Sequence, residues 1–352
     1  MEFFSGKTKG SFKFHPVGQG LFYSGVIEND RNCFTFVYDC GGTNKDTIDN
    51  AVDCFLDSIR DRKIDLLVLS HLHEDHINGI EKILGRLKPD GKIVMPYLDR
   101  DLELLYLYQS SVKKSNNSFL NSFYTDPIGI IRGDERKDVE IIFISHSIED
   151  GIDKEHNSFK DSSWKNNYSS RNVSLFLKDG GVKTSILLTD CFEFLLSQFN
   201  WRFRITQPFV DSSILIKYKN YVNKYNSVTD LLRDKSAIKH LKRINNFQNK
   251  SCLLMEHVFC YPKRCLSTVL TGDLPETQIR KVKDKLLNSE KLFVYQIPHH
   301  GAKASASVTD SCFSVVSYGV GNTYGHPFPD TISQYLANSN IILVNENDFF
   351  EY

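Results

Sequence analysis

The chain has 352 residues, of which 41% are hydrophobic and 24% charged, with 43 basic and 43 acidic side chains. These values are typical of a folded globular protein and exclude both a disordered chain and one that binds polyanions over its whole surface. The balanced charge conceals one basic segment, because residues 201–265 carry 13 basic and 4 acidic groups, a net charge of +9.

Localisation is predicted from what the chain lacks. The sequence contains neither the ~20 consecutive apolar residues that span a bilayer nor an apolar core of signal-peptide length near residue 1. The eight cysteines are scattered, with no C-x-x-C pair, as expected of reduced thiols. We therefore predict a cytoplasmic protein without a membrane partner.

The first hundred residues predict a mixture of strands and helices. Three strands are expected at 11–17, 21–28 and 33–38, and the last ends in Asp39-Cys40-Gly41-Gly42, which predicts a turn that needs glycine dihedrals. A helix with one apolar face follows at 48–59. The next expected elements are a buried strand at 64–70, a helix at 78–87 capped by Asn78, and a strand at 93–95.

The remainder of the chain also alternates between strands and helices. A strand is expected at 139–145, and hairpin-like units at 173–189 and 252–271 enclose the basic segment. Helices and strands then alternate at 275–287, 292–297, 313–318, 330–337 and 341–344. This order favours a layered α/β protein. We expect a single domain over residues 1–352, with a basic, aromatic-containing insertion at 201–250.

Residues 70–76 form the strongest candidate metal site. The sequence Ser-His-Leu-His-Glu-Asp-His follows a predicted buried strand, and it places His71, His73, Asp75 and His76 within six residues. Imidazole and carboxylate ligands at this density suit one or two divalent ions. They favour zinc, with manganese or iron as alternatives. The competing interpretation is a polar surface loop.

Further candidate residues follow later strands. Asp273 ends the strand Leu270-Thr271-Gly272 and suits an oxygen bridge between two metals; Asp190 is a rival at the end of another strand. Residues 298–301 read Pro-His-His-Gly, in which one histidine can bind metal while its neighbour faces substrate. Shortly after this motif, the following side chains are candidates to contact a phosphate or the leaving group: Lys303, Ser305 and His326. For His326 the alternative is a loop histidine bonded to the backbone.

In this order, the motifs resemble those of the metallo-β-lactamase superfamily, and within it the hydrolase domain of ComEC-type DNA-uptake competence proteins. The resemblance includes Val17-Gly18-Gln19-Gly20 and Tyr324-Gly325-His326-Pro327, and it covers roughly residues 12–95 and 250–345. It implies an α/β fold, an αββα sandwich with the metal site at one edge of its two sheets. It also implies hydrolysis of phosphodiesters, as in a DNA nuclease.

The resemblance assigns individual roles. His71 and His73 would hold one divalent ion, and a second would be held by Asp75, His76 and His300, with Asp273 as the bridge and Asp39 supporting the loop. The sequence also departs from the family pattern. Leu21 stands where an acidic residue usually follows the Gly-Gln-Gly turn. Many members have a further histidine ligand, and here only His257 and His146 are candidates for it.

The basic segment interleaves cations with aromatic residues, a composition that suits phosphate contacts and base stacking. The candidate phosphate contacts are Lys217, Lys219, Lys242 and Arg243.

The leading hypothesis is a phosphodiesterase or nuclease that cleaves nucleic acid, DNA rather than RNA, through metal-activated hydroxide. Asp75, His299, Lys303 and His326 would be its catalytic residues. Two alternatives remain. One is a small-molecule hydrolase acting on a cyclic nucleotide, another phosphodiester or a lactone; the other is a non-catalytic binding or regulatory module with a degenerate metal site.

Overall fold

The computed structural model describes residues 8–97, 118–133, 136, 138–144, 165–166, 186–189, 191–209, 234, 248–261, 264–287, 292–303 and 310–352. The strands in these ranges are β1 (Lys9–Phe14), β2 (Gly20–Glu28), β3 (Cys33–Gly42), β4 (Ile64–Val68), β5 (Leu87–Pro96), β6 (Glu140–Ile144), β7 (Lys165–Asn166), β8 (Ile186–Thr189), β9 (Cys191–Leu196), β10 (Trp201–Thr206), β11 (Leu254–Tyr261), β12 (Arg264–Leu270), β13 (Leu292–Gln296), β14 (Ser311–Ser317), β15 (Asn340–Val344) and β16 (Phe350–Glu351).

These strands form two sheets of mixed direction. The first has the order β16-β1-β2-β3-β4-β5-β6-β8, antiparallel up to β3 and parallel from β3 to β8. The second has the order β15-β14-β13-β12-β11-β10-β9-β7, parallel from β12 to β15 and antiparallel from β12 to β7. The parallel strands β4 and β6 consist of apolar residues apart from Asp65 and Glu140, because they are covered on both faces.

The sheets face each other across an aromatic core. Phe36 of β3 lies edge-on to Phe203 of β10, with ring centroids 5.0 Å apart, and Trp201 packs 5.3 Å from Phe12. Leu21, the residue that replaces an acidic one in the family pattern, is buried in this core. The departure from the pattern therefore serves sheet packing.

Helices cover the outer faces. They are α1 (Lys45–Ile59), α2 (Glu74–Ile77), α3 (Ile80–Leu84), α4 (Ser118–Thr125), α5 (Pro127–Arg132), α6 (Glu276–Val282) and α7 (Pro329–Leu336). Buried residues of α1, α3, α4 and α5 pack on the first sheet, and those of α6 and α7 on the second. The predicted αββα sandwich is confirmed. Within the described ranges, none of the helices is both long and apolar enough to cross a membrane.

Two local predictions are wrong. The helix expected at 78–87 is replaced by the short helices α2 and α3, and β5 already begins at Leu87. Asn78 caps neither of them through its side chain, because its amide instead exchanges two hydrogen bonds with the backbone of Gly42. That pairing connects the loop that carries the candidate metal motif (residues 70–76, the metal-motif loop) to β3. An Asn78 that capped a helix would not make this connection.

The glycines after Asp39 are also explained differently. Gly41 and Gly42 end β3 rather than form a turn. A Cβ at Gly41 would come within 2.5 Å of the backbone of Asp75 and His76. Glycine is needed here because the metal-motif loop packs directly against the strand, and not for its dihedral freedom.

The later elements match the predictions in part. β11 and β12 form the expected antiparallel hairpin, whereas β8 joins the first sheet parallel to β6. Residues 173–185, which would complete the other hairpin, lie outside the described residues. Residues 201–206, the start of the predicted insertion, form β10 between β9 and β11.

Candidate metal centre

The predicted metal-binding residues meet at one edge of the two sheets. Asp39 lies near the end of β3, residues 70–76 follow β4, Asp273 follows β12, and His299 and His300 follow β13. These are the carboxyl ends of parallel or neighbouring strands, where ligand sites of α/β proteins commonly form. Sequence order and sheet order together therefore bring side chains more than 200 residues apart to one place.

The histidines and aspartates form compact groups with ligand atoms within 4.8 Å of one another. These groups are His71, His73 and Asp273; Asp75, His76 and His300; and Asp39, His71 and His76. The first two match the two ligand sets that the family resemblance implies. In the third, the Asp39 carboxylate accepts hydrogen bonds from the Ser70 amide, the Ser70 hydroxyl and His76, so it is engaged with the loop.

Asp273 lies between the two ligand groups. Its Oδ1 is 3.3 Å from His76 Nε2 and 3.8 Å from His300 Nε2. Its Oδ2 is 3.8 Å from His71 Nε2 and 3.8 Å from His299 Nε2. One carboxylate oxygen therefore faces each group, which is the arrangement expected of a bridging ligand.

Hydrogen bonds fix the tautomers of His71 and His76. The Ser70 hydroxyl donates to Asp39 Oδ2 at 2.6 Å, so its oxygen accepts from His71 Nδ1 at 3.0 Å. His76 Nδ1 donates to the same Asp39 oxygen at 2.8 Å. Both rings consequently keep the lone pair of Nε2 for the side that faces Asp273.

His300 and His73 are oriented in the same way. Nδ1 of His300 donates to the backbone oxygen of Ser317 at 2.9 Å, which leaves its Nε2 lone pair directed at Asp75 and Asp273. Nε2 of His73 donates to the side-chain oxygen of Gln248 at 2.8 Å, and its Nδ1 lies 2.9 Å from Nε2 of His71. In their neutral form, which is the form that binds metal, all four imidazoles thus direct an unprotonated nitrogen into the cluster.

The cluster favours positive charge. In the described part of the chain, the ion pairs of Asp75 and Asp273 are all with histidines. Burial lowers the pKa of His76, but the carboxylates of Asp273 and Asp39 outweigh it and raise that pKa well above its usual value. Burial raises the pKa of Asp273, yet His299 and His76 hold it well below its usual range.

Among the described residues, three buried atoms of the cluster have no hydrogen-bond partner: His76 Nε2, His300 Nε2 and Asp273 Oδ1. Buried polar groups are normally satisfied, and an unsatisfied one costs about 1–3 kcal/mol. A divalent cation satisfies all three at once and can replace the protons that the carboxylates attract. The residues therefore fit a divalent metal site, as the sequence predicts.

Backbone strain is concentrated at the same place. Asp39, His299 and His300 adopt left-handed dihedrals, with φ of 52°, 49° and 53°. Such conformations cost about 1–3 kcal/mol for non-glycine residues and persist where the surroundings enforce them. Gly272 is also left-handed, and a Cβ there would meet the Ser70 hydroxyl at 2.8 Å. The close approach of Gly272 to Ser70 explains why glycine precedes Asp273.

The three remaining candidate catalytic residues lie around the cluster. His299 is partly exposed, and its ring centroid is 5.7 Å from that of His326. Burial, followed by the charges of His300 and His299, lowers the pKa of His326 to about 4. Lys303 is exposed and lies just after the turn that carries His299 and His300.

His257 is a core residue and not a ligand. Its Nδ1 accepts a hydrogen bond from the Trp201 indole, so its Nε2 donates to the Tyr23 hydroxyl, and that hydroxyl also bonds to Tyr352. Its ring packs 4.8 Å from Phe12 between the two sheets. Burial lowers the pKa of His257 to about 3. It is therefore a neutral imidazole that satisfies polar groups in the core.

This environment predicts acid sensitivity. The folded pKa of His257 is below the unfolded value of about 6.5, so its contribution to stability is present above that value and is lost as the pH falls toward 3. The loss is up to about 1.4 kcal/mol per pH unit. In urea unfolding between pH 7 and 4, His257→Gln should flatten the pH dependence relative to the wild type. Equal slopes for the two proteins would contradict this interpretation.

Gln248 is a site residue that the sequence did not reveal. It is fully buried, it lies at the end of the basic segment, and its side-chain oxygen is the partner of His73. The sequence contains no signal for this role, because glutamine near a predicted loop is usually solvent-facing. Only the hairpin that follows, with the Leu253 amide bonded to the Ser70 carbonyl, brings it to the metal loop.

We expect Gln248→Ala to weaken metal binding by about 10- to 100-fold, the usual effect of removing a partner that orients a ligand histidine. The measurement is a titration of the apoprotein with Zn²⁺ or Mn²⁺. Gln207→Ala is the matched control, because Gln207 is also a buried glutamine and its side chain donates to the backbone oxygen of Ser251. Equal affinities for wild type and Gln248→Ala would show that Gln248 does not orient His73.

Several predicted residues lie outside the described part of the chain. They are Asp190, the rival bridging residue; His146, the other candidate ligand; Ser305; and the four candidate phosphate contacts Lys217, Lys219, Lys242 and Arg243. Their roles remain predictions. The described residues on either side of 210–247 lie close together, because Gln207 donates to the Ser251 carbonyl, and Gln248 is the hydrogen-bond partner of His73.

Comparison with known proteins supports the fold. The family model of the metallo-beta-lactamase superfamily matches residues 22–116, which include β2 to β5 and the metal motif. No curated protein sequence matches the chain. The two-sheet sandwich with outer helices is therefore of the metallo-β-lactamase type, and the narrower resemblance to ComEC-type domains has no support beyond the motifs.

Solved structures of similar fold match at low identity. A long-form RNase Z from yeast aligns at 10% identity with a TM-score of 0.45, covering 97% of this chain, and this chain spans only 42% of its length. A diphosphatase of the PhnP family aligns at 11% identity, TM-score 0.38, over 98% of both chains. Human short-form tRNase Z (ELAC1) aligns at 9% identity, TM-score 0.40, over 97% of this chain and 98% of its own. Likeness at this level carries no information about substrate.

Proposed function

We propose that the protein is a metal-dependent phosphodiesterase that cleaves nucleic acid, with DNA as the first substrate to test. The observation that carries the proposal is the pair of histidine–aspartate groups on either side of Asp273, with Gln248 of the predicted basic insertion bonded to His73 of the first group. Paired divalent sites of this kind suit displacement at phosphorus.

The proposed ligand sets follow the two groups. His71 and His73 would hold one ion, Asp75, His76 and His300 would hold the other, and Asp273, which lies between the two groups, would serve both. The mixture of neutral imidazole and carboxylate favours Zn²⁺, with Mn²⁺ as the alternative. Asp39 acts through His76, whose proton on Nδ1 it holds.

Bound divalent ions supply a nucleophile from water at neutral pH and offset the charge that develops on the phosphate. The remaining steps belong to side chains. His299 is partly exposed beside Asp273, so it faces the space open to substrate, and we assign to it the proton given to the leaving oxygen. His326 lies next to His299, and the exposed Lys303 is placed to attract a phosphate oxygen.

The basic segment is proposed to bind the polymer. Residues 210–247 carry eight basic and three acidic side chains, and the described stretch that follows them begins with Gln248, the hydrogen-bond partner of His73. Cations attached at this edge would neutralise phosphates on either side of the scissile bond, a contribution that falls steeply with salt concentration.

The proposal is tested by incubating the purified protein with Mn²⁺ or Zn²⁺ and single- or double-stranded DNA and RNA, with bis(4-nitrophenyl) phosphate as a generic diester. We expect cleavage by the wild type and none by Asp75→Ala/His76→Ala. Glu81→Ala, an exposed acidic residue of α3, is the control and should cleave normally. Equal cleavage by the wild type and the double variant would overturn the proposal.

A second variant separates a polymer substrate from a small one. Neutralising Lys217, Lys219, Lys242 and Arg243 to glutamine should weaken binding of oligonucleotides and flatten its salt dependence, while hydrolysis of the generic diester is unchanged. If oligonucleotide cleavage is also unchanged at every salt concentration, the small-molecule hydrolase is the better account.

A further inference from the structure

An exposed tyrosine lies beside the proposed metal centre. The rings of His300 and His326 are 6.3 Å apart with an interplanar angle of 28°, and Tyr324 stacks on His326 at 5.7 Å and 26°. Tyr324, His326 and His300 therefore form a row of similarly oriented rings. The row begins at the metal-binding group and ends at a side chain that is 61% exposed.

The loop that carries Tyr324 is held rigidly. The side-chain oxygen of Asn322 accepts hydrogen bonds from the amides of Tyr324 and His326, both at 3.0 Å. Its nitrogen donates to the carbonyls of Gly319 and His326, both at 2.6 Å. The side-chain amide of Asn322 thus fixes the backbone on both sides of Tyr324, although the tyrosine ring itself is exposed to solvent.

The preceding residues anchor this loop to the rest of the site. The Gly319 amide donates to the side chain of Gln19 at 3.3 Å, and the Val320 amide donates to the carboxylate of Glu346 at 3.0 Å. Single exposed aromatic residues are common and need no explanation. A ring that is presented by a fixed loop and aligned with the catalytic histidines is different, because its position is defined relative to the reacting group.

We propose that Tyr324 stacks on the unpaired base next to the scissile phosphate, so that the protein selects single-stranded nucleic acid or frayed ends. The inference rests on the proposed function, and it names the substrate class of that site. The face of a base is accessible to an aromatic ring only when the base is not stacked within a duplex, and such stacking tolerates any base.

The test compares Tyr324→Ala, Tyr324→Phe and the wild type on single-stranded oligonucleotides that carry either a normal or an abasic nucleotide beside the cleaved bond. We expect Tyr324→Ala to raise KM at least about fivefold with little change in kcat, and Tyr324→Phe to behave as the wild type. Removing the base should raise KM for the wild type by a similar factor and have no effect on Tyr324→Ala.

Phe349→Ala is the control, since Phe349 is also exposed, at 54%, but packs against Lys13. A second measurement is independent of turnover: an oligonucleotide with 2-aminopurine at the same position should be quenched on binding to the wild type and not to Tyr324→Ala. If the wild type cleaves nucleic acid but KM and quenching are the same in Tyr324→Ala, the stacking role is overturned and the proposed function stands. If the wild type cleaves no nucleic acid, the proposed function itself fails.

Discussion

Asp273→Asn is expected to abolish hydrolysis, with a loss of at least about 10³-fold in kcat, the upper end of the effect of removing one electrostatic contact at a reacting centre. The reason is its position: each oxygen of this carboxylate faces a different ligand group. An amide has one oxygen and one NH₂ group, so it can serve only one of the two groups. Metal content should fall together with activity.

Unfolding is the competing explanation for such a loss, and a stability measurement excludes it. Although burial raises the pKa of Asp273, His299 and His76 hold it below its usual range, so the carboxylate stabilises the folded apoprotein, and the amide should lower its melting temperature. The variant should nevertheless unfold in one cooperative transition above the assay temperature. Asp310→Asn is the control, because Asp310 is exposed at the start of β14. Retained metal and activity in Asp273→Asn would show that this residue is not the bridge.

Asp39→Asn is expected to weaken metal binding by changing which ring nitrogen of His76 carries the proton. Asp39 Oδ2 accepts from both the Ser70 hydroxyl and His76 Nδ1. An asparagine nitrogen at that position would donate to His76 Nδ1 and shift the ring proton to Nε2, the atom that faces Asp273. We expect metal affinity to fall by about 10- to 100-fold, the range observed when such partners are replaced.

The comparison variant is Asp65→Asn. Asp65 also accepts a backbone amide, from Thr35 at 2.8 Å, but its other partner is Lys88 and not a histidine. Metal affinity should be unaffected in that protein. The tautomer of His76 in each apoprotein is readable from the imidazole ¹⁵N shifts at a pH at which the ring is neutral, and an unchanged tautomer in Asp39→Asn would contradict the proposed mechanism.

That the candidate ligands lie together was largely predictable, because each of them follows closely on an apolar strand. A buried strand can be read from the sequence, and the carboxyl ends of such strands meet at one edge, so His71 to His76, Asp273 and His300 are placed by local patterns alone. The αββα order follows in the same way from the succession of strands and helices.

Features that depend on distant contacts were not predictable. Gln248 reaches His73 only because β11 pairs in the second sheet, and nothing near residue 248 indicates this. Asparagine is a common helix cap, yet the side chain of Asn78 bonds to the backbone of Gly42 in β3, 36 residues earlier in the chain. His257 has a ligand's chemistry, but burial between two sheets makes it a core residue.

The proposed site of the first ion lacks a third histidine among the described residues. His257 is committed to the core, and the first group among the described residues consists of His71, His73 and Asp273. The first ion is accordingly expected to bind more weakly than the second, which has three side chains of its own in addition to Asp273. A titration with Zn²⁺ should show two unequal affinities.

The central claim is that this cluster is a two-ion centre. The most direct test is the metal content of the protein after saturation with Zn²⁺ or Mn²⁺ and removal of free ions, measured by inductively coupled plasma mass spectrometry beside Asp75→Ala/His76→Ala. We expect two ions per wild-type chain at saturation and at most one in the double variant. One ion or fewer per wild-type chain would contradict the two-ion centre, and less than one ion would favour a non-catalytic binding module.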